Sequence, residues 1–401
     1  MPSTVLRKRF HGHPVWRWRI GVLLIMGTLA LLTMTKFQGD VTPTHESEFI
    51  ALPEKVPLAK PKLAFLYLAR NQMPLDILWA HFFKGAEEHE YNVYIHARPG
   101  VVYNRKTTDC KAFYNRQIKN SVSVEWGAAS MVEAERLLLA TALEDPLNER
   151  FILLSDSCVP LYTFKYVYDY VMSSHKSFVD SFIDYADERY DPRMAPQITS
   201  DKWRKGSQWF FFIRKHAEAV VNDTVIFPVF RQYCKLIAVP RNTGNLYLQV
   251  ASPGRNAIGE VDYKMIDVSF HAENETEEEH NCIPDEHYIQ TLLAIKDLEE
   301  EIERRTLTYS HWKDFDQERD RRGWHPITFN YADASLKTIK DIQAIISIHY
   351  ATESRTEWCS SNGEPRPCYL FARKFTRGAG FRLLNQVKQY ENPQTIEPQP
   401  S

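Results

Sequence analysis

The sequence predicts an α/β fold, a mostly parallel sheet covered by helices on both faces and carried behind an N-terminal transmembrane helix. Three observations predict it. Apolar β-rich runs alternate with amphipathic helical stretches through the first half of the main domain, and the strand runs are continuously apolar, as strands buried on both faces are. One uncharged N-terminal run stands apart from all that follows.

That run, Ile20 to Thr35, follows Arg7, Lys8, Arg9, Arg17 and Arg19. At about 1.5 Å per residue it spans roughly 24 Å, which flanking Trp16, Trp18 and the snorkelling Arg19 and Lys36 extend towards the ~30 Å hydrocarbon core. The basic flank places residues 1–19 in the cytosol by the positive-inside rule, which makes residues 20–35 a type II signal-anchor. No small-residue cleavage site follows it. Residues 36–61, with Pro43, Pro53, Pro57 and Pro61 and neither hydrophobic period, read as an extended lumenal stem. The catalytic-sized domain is 62–392, and the proline-bearing tail 393–401 is expected to be disordered.

Within the domain, strands are expected at 63–69, 91–97, 122–126 and 150–157, with helices near 75–88 and 131–142 between them. Ligands of such sheets sit at the carboxyl ends of the strands, where Arg70, His96, Trp126 and Asp156 are presented. Further on, 176–184 and 207–214 read as strands, 285–295 as a helix opened by two acids, and 333–345 as a late helix capped by Asp333 or Ser335. The acidic segment 273–279 reads as a solvated loop.

Composition narrows the function. Hydrophobic residues at 44% with 25% charged describe a globular interior, and Lys+Arg 49 against Asp+Glu 51 lacks the basic excess of a nucleic-acid binder. Six cysteines, all beyond the anchor, suit three disulfides in an oxidising lumen. Cys359 and Cys368 flank a Gly- and Pro-bearing turn that favours a local bridge. Cys234 with Cys282 and Cys110 with Cys158 is one arrangement of the rest, among several that the spacing leaves open. Asn222 and Asn274 stand in glycosylation sequons.

Phosphate-loop, dinucleotide, serine-hydrolase and zincin signatures are absent from the sequence. The D-x-D triplet Asp314 to Asp316 lies in a charged stretch and reads as a surface turn. His271, His280, Cys282 and His287 match no zinc spacing, and a lumenal Cys282 suits a disulfide better. No metal site is therefore expected. In the PDEH string, Pro284 to His287, Asp285 and Glu286 open a helix. They read as capping acids or, if one points into a cleft, as a carboxylate able to take a proton from a substrate hydroxyl. Cation candidates for a leaving diphosphate are Arg355, Arg366, Arg373, Lys374 and Arg377.

The anchor, NVYIHA, the helix after VEWGAASMVEAERLLLA, FILLSDSCVPLYTF, WRKGSQWF, PDEHY and the cysteine loop followed by LFARKF together resemble the core-2/I-branching β-1,6-N-acetylglucosaminyltransferase family, glycosyltransferase family 14, in its plant branch. The resemblance covers about residues 62–390. It implies a GT-A-like, Rossmann-type mixed sheet, a UDP-sugar donor, a glycan acceptor, inversion at the anomeric carbon and no metal cofactor. Glu286 is then the base, and Arg366 and Lys374 clamp the diphosphate, with Arg70, His96 and Asp156 also in the donor site. Trp203, Lys205, Ser207 and Trp209 of the WRKGSQW string are assigned to the acceptor, since indole faces suit sugar rings. The sequence departs from the family in having Ala97, Arg98 and Pro99 after His96, where an aspartate is usual. The resulting expectation is a single-pass type II Golgi membrane glycosyltransferase acting on a wall polysaccharide, an arabinogalactan or another glycan. A catalytically inactive glycan-binding protein of the same fold is the alternative.

Overall fold

β1 (Lys62–Leu68) is the centre of the sheet, and its five inner residues are buried. Side chains alternate along a strand, so Leu63, Phe65 and Tyr67 face one layer and Ala64 and Leu66 the other. The first layer is aromatic. Phe65 and Tyr67 pack with Trp79, Phe82 and Phe83 of α1 (Asp76–Phe83) and with Phe113 and Phe164. On the other face, Ala64 and Leu66 share a core with Val132, Leu138 and Leu139 of α2 (Ser130–Leu143). This computed structural model describes residues 60–183, 189–235, 247–255, 261–267, 282–312 and 325–391.

Parallel to β1 run β2 (Tyr91–His96) and β3 (Asn148–Ser155), in register so that Leu68 stands opposite both His96 and Ser155. The three strands therefore end level. Beyond β3 the sheet turns mixed, through β4 (Val159–Pro160), which joins a second sheet, then β5 (Ser177–Phe178) and β6 (Phe211–Ile213). β6 is antiparallel to β3, with Phe211 opposite Ile152 and Ile213 opposite Arg150. The segment leading into β6 consequently lies at the carboxyl end of β3. The order across the sheet is β2-β1-β3-β6-β5, closed by Ile302–Glu303. In the second sheet Phe371–Arg373 lies between Thr308–Ser310 and β4.

Several expectations are corrected. Residues 122–126 form no strand. The chain pairs with β2 earlier, Gln117 bridging Ile95, and the backbone N–H of Val122 donates to His96 Nε2 at 3.1 Å instead of to a neighbouring strand. The sheet is mixed, as the family resemblance implies, because β6 enters antiparallel between otherwise parallel pairs. The helix expected at 285–295 is a 3-10 turn, Pro284–Glu286, followed by a helix over Tyr288–Ile295. The late helix is Leu336–Gln343, and of its two candidate caps it is the Ser335 side chain that accepts from the Thr338 N–H.

Two of the three expected disulfides form, Cys234–Cys282 and Cys359–Cys368. Cys110 and Cys158 are free thiols, both fully buried in the aromatic core. Cys158 Sγ sits 3.3 Å from the N of Ser155 in the turn after β3, whereas Cys110 stands before the short turn Lys111–Phe113.

The anchor 20–35, the tails, the stem up to residue 59, the acidic segment 273–279 with Asn274, His271, His280, Asp314 and Asp316 lie outside the described residues. Among the described residues no helix is long and apolar enough to cross a membrane, and no group of His, Cys, Asp and Glu is arranged to hold a metal ion.

Candidate active site

The carboxyl ends of β1 and β3 meet in an ion pair. After Leu68 the chain leaves the sheet, and the Arg70 Nε and its backbone N–H both reach Asp156 Oδ2, at 3.1 and 3.4 Å. Asp156 is itself fixed by its N–H donating to the Leu68 carbonyl. Its carboxylate is nearly buried, while the Arg70 guanidinium is 83% exposed and free to reach a ligand. His96 ends β2, buried, and burial lowers its pKa below the usual histidine value. With Nε2 accepting from Val122, it works as a brace for the loop that follows.

Phe371–Arg373 delivers a second pair of cations to the same place. The Phe375 N–H bonds the Ser157 carbonyl, which draws Arg373 and Lys374 against the turn after β3. Burial lowers the Lys374 pKa to about 8, and the neighbouring Arg373 and Arg70 charges add to the effect while Asp156 opposes it. The Arg373 guanidinium stands over the Trp209 ring, 4.3 Å from its centroid. Burial lowers its pKa too, against the pull of Cys158, Asp156 and Asp285. Three cations therefore converge on one carboxylate. A surplus of positive charge at strand ends suits a polyanion such as a diphosphate.

On the other side of β3 stands the PDEH turn. Pro284 fixes the first residue, and the turn separates its two acids. Asp285 is buried, with Oδ1 unpartnered, and its pKa rises to about 7, first from burial and then from the Glu286 charge. Glu286 is the acid that reaches solvent, and its Oε2 accepts from Arg189 at 3.1 Å. Behind them lies Glu135 of α2, 1% exposed, one oxygen accepting from Gln208 at 2.8 Å and the other unpartnered. Burial and the Asp285 charge push its pKa well above the usual carboxylate range. Burial disfavours the ionised form of both rear acids, so each holds a proton to higher pH than an ordinary carboxyl does, although Arg373 favours ionisation of Asp285, while Glu286 faces outward.

Of the residues expected at the site, Glu286, Lys374, Arg70 and Asp156 are brought to one edge of the sheet. Lys205 and Ser207 flank Gly206, whose N–H bonds the Glu286 carbonyl, so both sit beside the PDEH turn. Trp203 is corrected: it is buried, stacked on His287 at 4.5 Å and Phe230 at 5.5 Å, and offers no face to a sugar. Trp209 is also buried and carries Arg373 instead. Arg366 is not gathered here. It is exposed on the hairpin of the cysteine loop, where Asn362 bonds the Ser173 carbonyl. Arg150 bonds the adjacent Val171 and Ser174 carbonyls. That hairpin thus lies by the start of β3, and Asp156 follows its end. Arg355 is engaged by Glu353 and Glu357 and covers the Tyr350 ring. His287 is buried, and Cys282 is spent in a disulfide. Asn222 is exposed just past the helix Arg214–Val221.

Residues 63–344 match the core-2/I-branching enzyme family. A rice (Oryza sativa subsp. japonica) protein named glycosyltransferase BC10 is 50% identical over 331 residues, covering 82% of this chain and 77% of the relative. The chain belongs to the core-2/I-branching enzyme family. As a member it is a glycosyltransferase, with a sugar donor and a glycan acceptor as its substrates.

Three residues of this candidate site carry little or no mark in the sequence. Glu135 had a legible signal, an acid among Val132, Leu138 and Leu139 on the apolar face of a helix. Gln208 sits unmarked inside the WRKGSQW string, and Arg189 lies in a stretch with no local pattern.

Proposed function

We propose that this glycosyltransferase is an inverting enzyme of the Golgi lumen that transfers a sugar from a UDP-sugar to a hydroxyl of a glycan. The observation that carries the reaction is the division of one edge of the sheet into a solvent-facing carboxylate, Glu286, and a cation cluster, Arg70, Arg373 and Lys374. The acceptor oxygen attacks the anomeric carbon as Glu286 takes its proton. The bond from that carbon to the phosphate oxygen breaks on the opposite face, and the electron pair leaves with UDP. The cations lie where charge develops on the diphosphate and do the work that a divalent ion does in other such enzymes. Arg189 holds the carboxylate in place until the acceptor arrives.

The lumenal placement is supported by the two disulfides and by the type II reading of residues 20–35. A β-1,6-N-acetylglucosaminyl linkage or a wall-polysaccharide or arabinogalactan linkage fits the family and its plant relative.

The test is release of UDP from a panel of UDP-sugars by the purified protein, with and without EDTA. Glu286→Gln keeps size and hydrogen bonding but cannot accept the proton, so turnover should fall by about 10² to 10⁴ while UDP affinity is nearly unchanged. Full activity in that variant, or loss of wild-type activity in EDTA that manganese restores, overturns the mechanism.

A further inference from the structure

The carboxyl edge of the sheet has an order, and the order matches the three parts of a nucleotide-sugar. At one side the Glu286 carbonyl is bonded to the segment entering β6; next come Asp156 after β3 and Arg70 after β1; then His96 at the end of β2. Outside β2 the chain continues from Gln117, which bridges Ile95, through Val122, held by His96 Nε2, to Trp126. A ligand whose diphosphate rests on the central cations has Trp126 within reach of its nucleoside, because the His325 ring beside that indole lies close enough to Lys374 and Arg373 to feel their charges.

Trp126 is built to be met. It is 43% exposed, among the few large apolar side chains of the described residues so placed. Gly127 follows with φ +77°, a left-handed turn that sends the chain into α2 and leaves the indole outside. The Glu125 N–H donates to Ser130 Oγ at 3.0 Å, which pins the loop to the start of that helix. Across from it stands His325, its ring centroid 4.8 Å from the indole. Four residues beyond His325, the Phe329 N–H bonds the Lys374 carbonyl, so this strip runs from the cation cluster to the tryptophan.

We propose that Trp126, backed by His325, is the platform on which the nucleobase of the donor stacks. The inference rests on the UDP-sugar reading above and adds the residue that recognises the flat pyrimidine ring. A π face binds any base by stacking. Burial and the Lys374 and Arg373 charges lower the His325 pKa, which keeps its ring neutral and suited to lie beside another ring. The diphosphate is bound elsewhere, so loss of the platform should separate nucleoside recognition from phosphate recognition.

Calorimetric titration of the wild-type protein, Trp126→Ala and Trp126→Phe with UDP and with inorganic pyrophosphate tests it. Trp126→Ala should weaken UDP about tenfold to a hundredfold and pyrophosphate by less than about twofold, with Trp126→Phe recovering most of the loss. Lys374→Ala should weaken both ligands. Unchanged UDP affinity in Trp126→Ala, or equal loss of UDP and pyrophosphate, overturns the platform alone. Failure of the wild-type protein to bind UDP overturns the reading of the donor, and the platform with it. The side chain is exposed, so a melting curve matching the wild type shows that each variant is folded.

Discussion

The backbone N–H of Gly206 donates to the carbonyl oxygen of Glu286 at 2.9 Å, and this contact ties the WRKGSQW segment to the PDEH turn. It exists because residue 206 has no side chain. A Cβ there would lie 1.8 Å from the Asp180 carbonyl oxygen and 2.9 Å from Gln290 Nε2. The neighbours are equally committed: Lys205 pairs with Phe182 through two 2.9 Å backbone bonds, and the Ser207 N–H donates to Asp180 Oδ2.

Gly206→Ala should therefore separate the WRKGSQW segment from either Asp180 or the PDEH turn. Overpacking of this kind costs about 1–3 kcal/mol, visible as a lower melting temperature. Turnover per folded molecule should fall as well, because Glu286 moves with its carbonyl. A variant as stable and as active as the wild type would show that the contact does not position the base.

Lys374 and Arg366 make opposite predictions. The lysine, its pKa lowered to about 8, is charged below that pH and neutral above it. An anionic donor binds the charged form, so kcat/KM, which reports the free enzyme, should decline as pH rises through about 8. Lys374→Arg should flatten that decline, and Lys374→Ala should lower activity and UDP affinity at every pH. Arg366→Ala, exposed by the start of β3, should change UDP affinity by less than about twofold. A large loss in Arg366→Ala would mean that the cysteine loop reaches the donor.

What the sequence showed and what it hid follow one physical rule. β1 and the second half of β3 are written as continuous apolar runs because both their faces are buried, and the PDEH turn is written locally by proline and two acids. Arg373 on Trp209 and Glu135 behind Asp285 are pairings between distant segments, which no local pattern encodes. Trp203 and Trp126 look alike as letters. One is buried under Phe230 and His287 and the other projects from a glycine turn, and only the packing tells them apart.

The cysteines offer a chemical count. Cys110 and Cys158 are free but 0% exposed, so the native protein should take up no maleimide and the denatured, unreduced protein should take up two labels, one on each. Peptide mapping should find Cys234 joined to Cys282 and Cys359 to Cys368. The loop closed by the first bridge is longer, 48 residues against 9, so its removal should cost more, about 4 against about 2.5 kcal/mol by chain entropy. Absence of free thiols after denaturation would restore the third bridge.

Asp285 links the site to stability. Its pKa rises from 3.8 to about 7 because burial and the adjacent Glu286 charge disfavour its ionised form. Between those values the folded chain holds a proton that the unfolded chain has released. Stability therefore falls as pH rises from about 4 to about 7, by a few kcal/mol at most for this one group. Asp285→Asn imitates the protonated acid and should remove that slope. Its melting temperature should match the wild type near pH 4 and exceed it near pH 8, while the Glu135 carboxyl, no longer beside a titrating partner, keeps its proton. If the two proteins lose stability in parallel across that range, Asp285 is ionised in the folded state and the rear acids of the site do not hold protons.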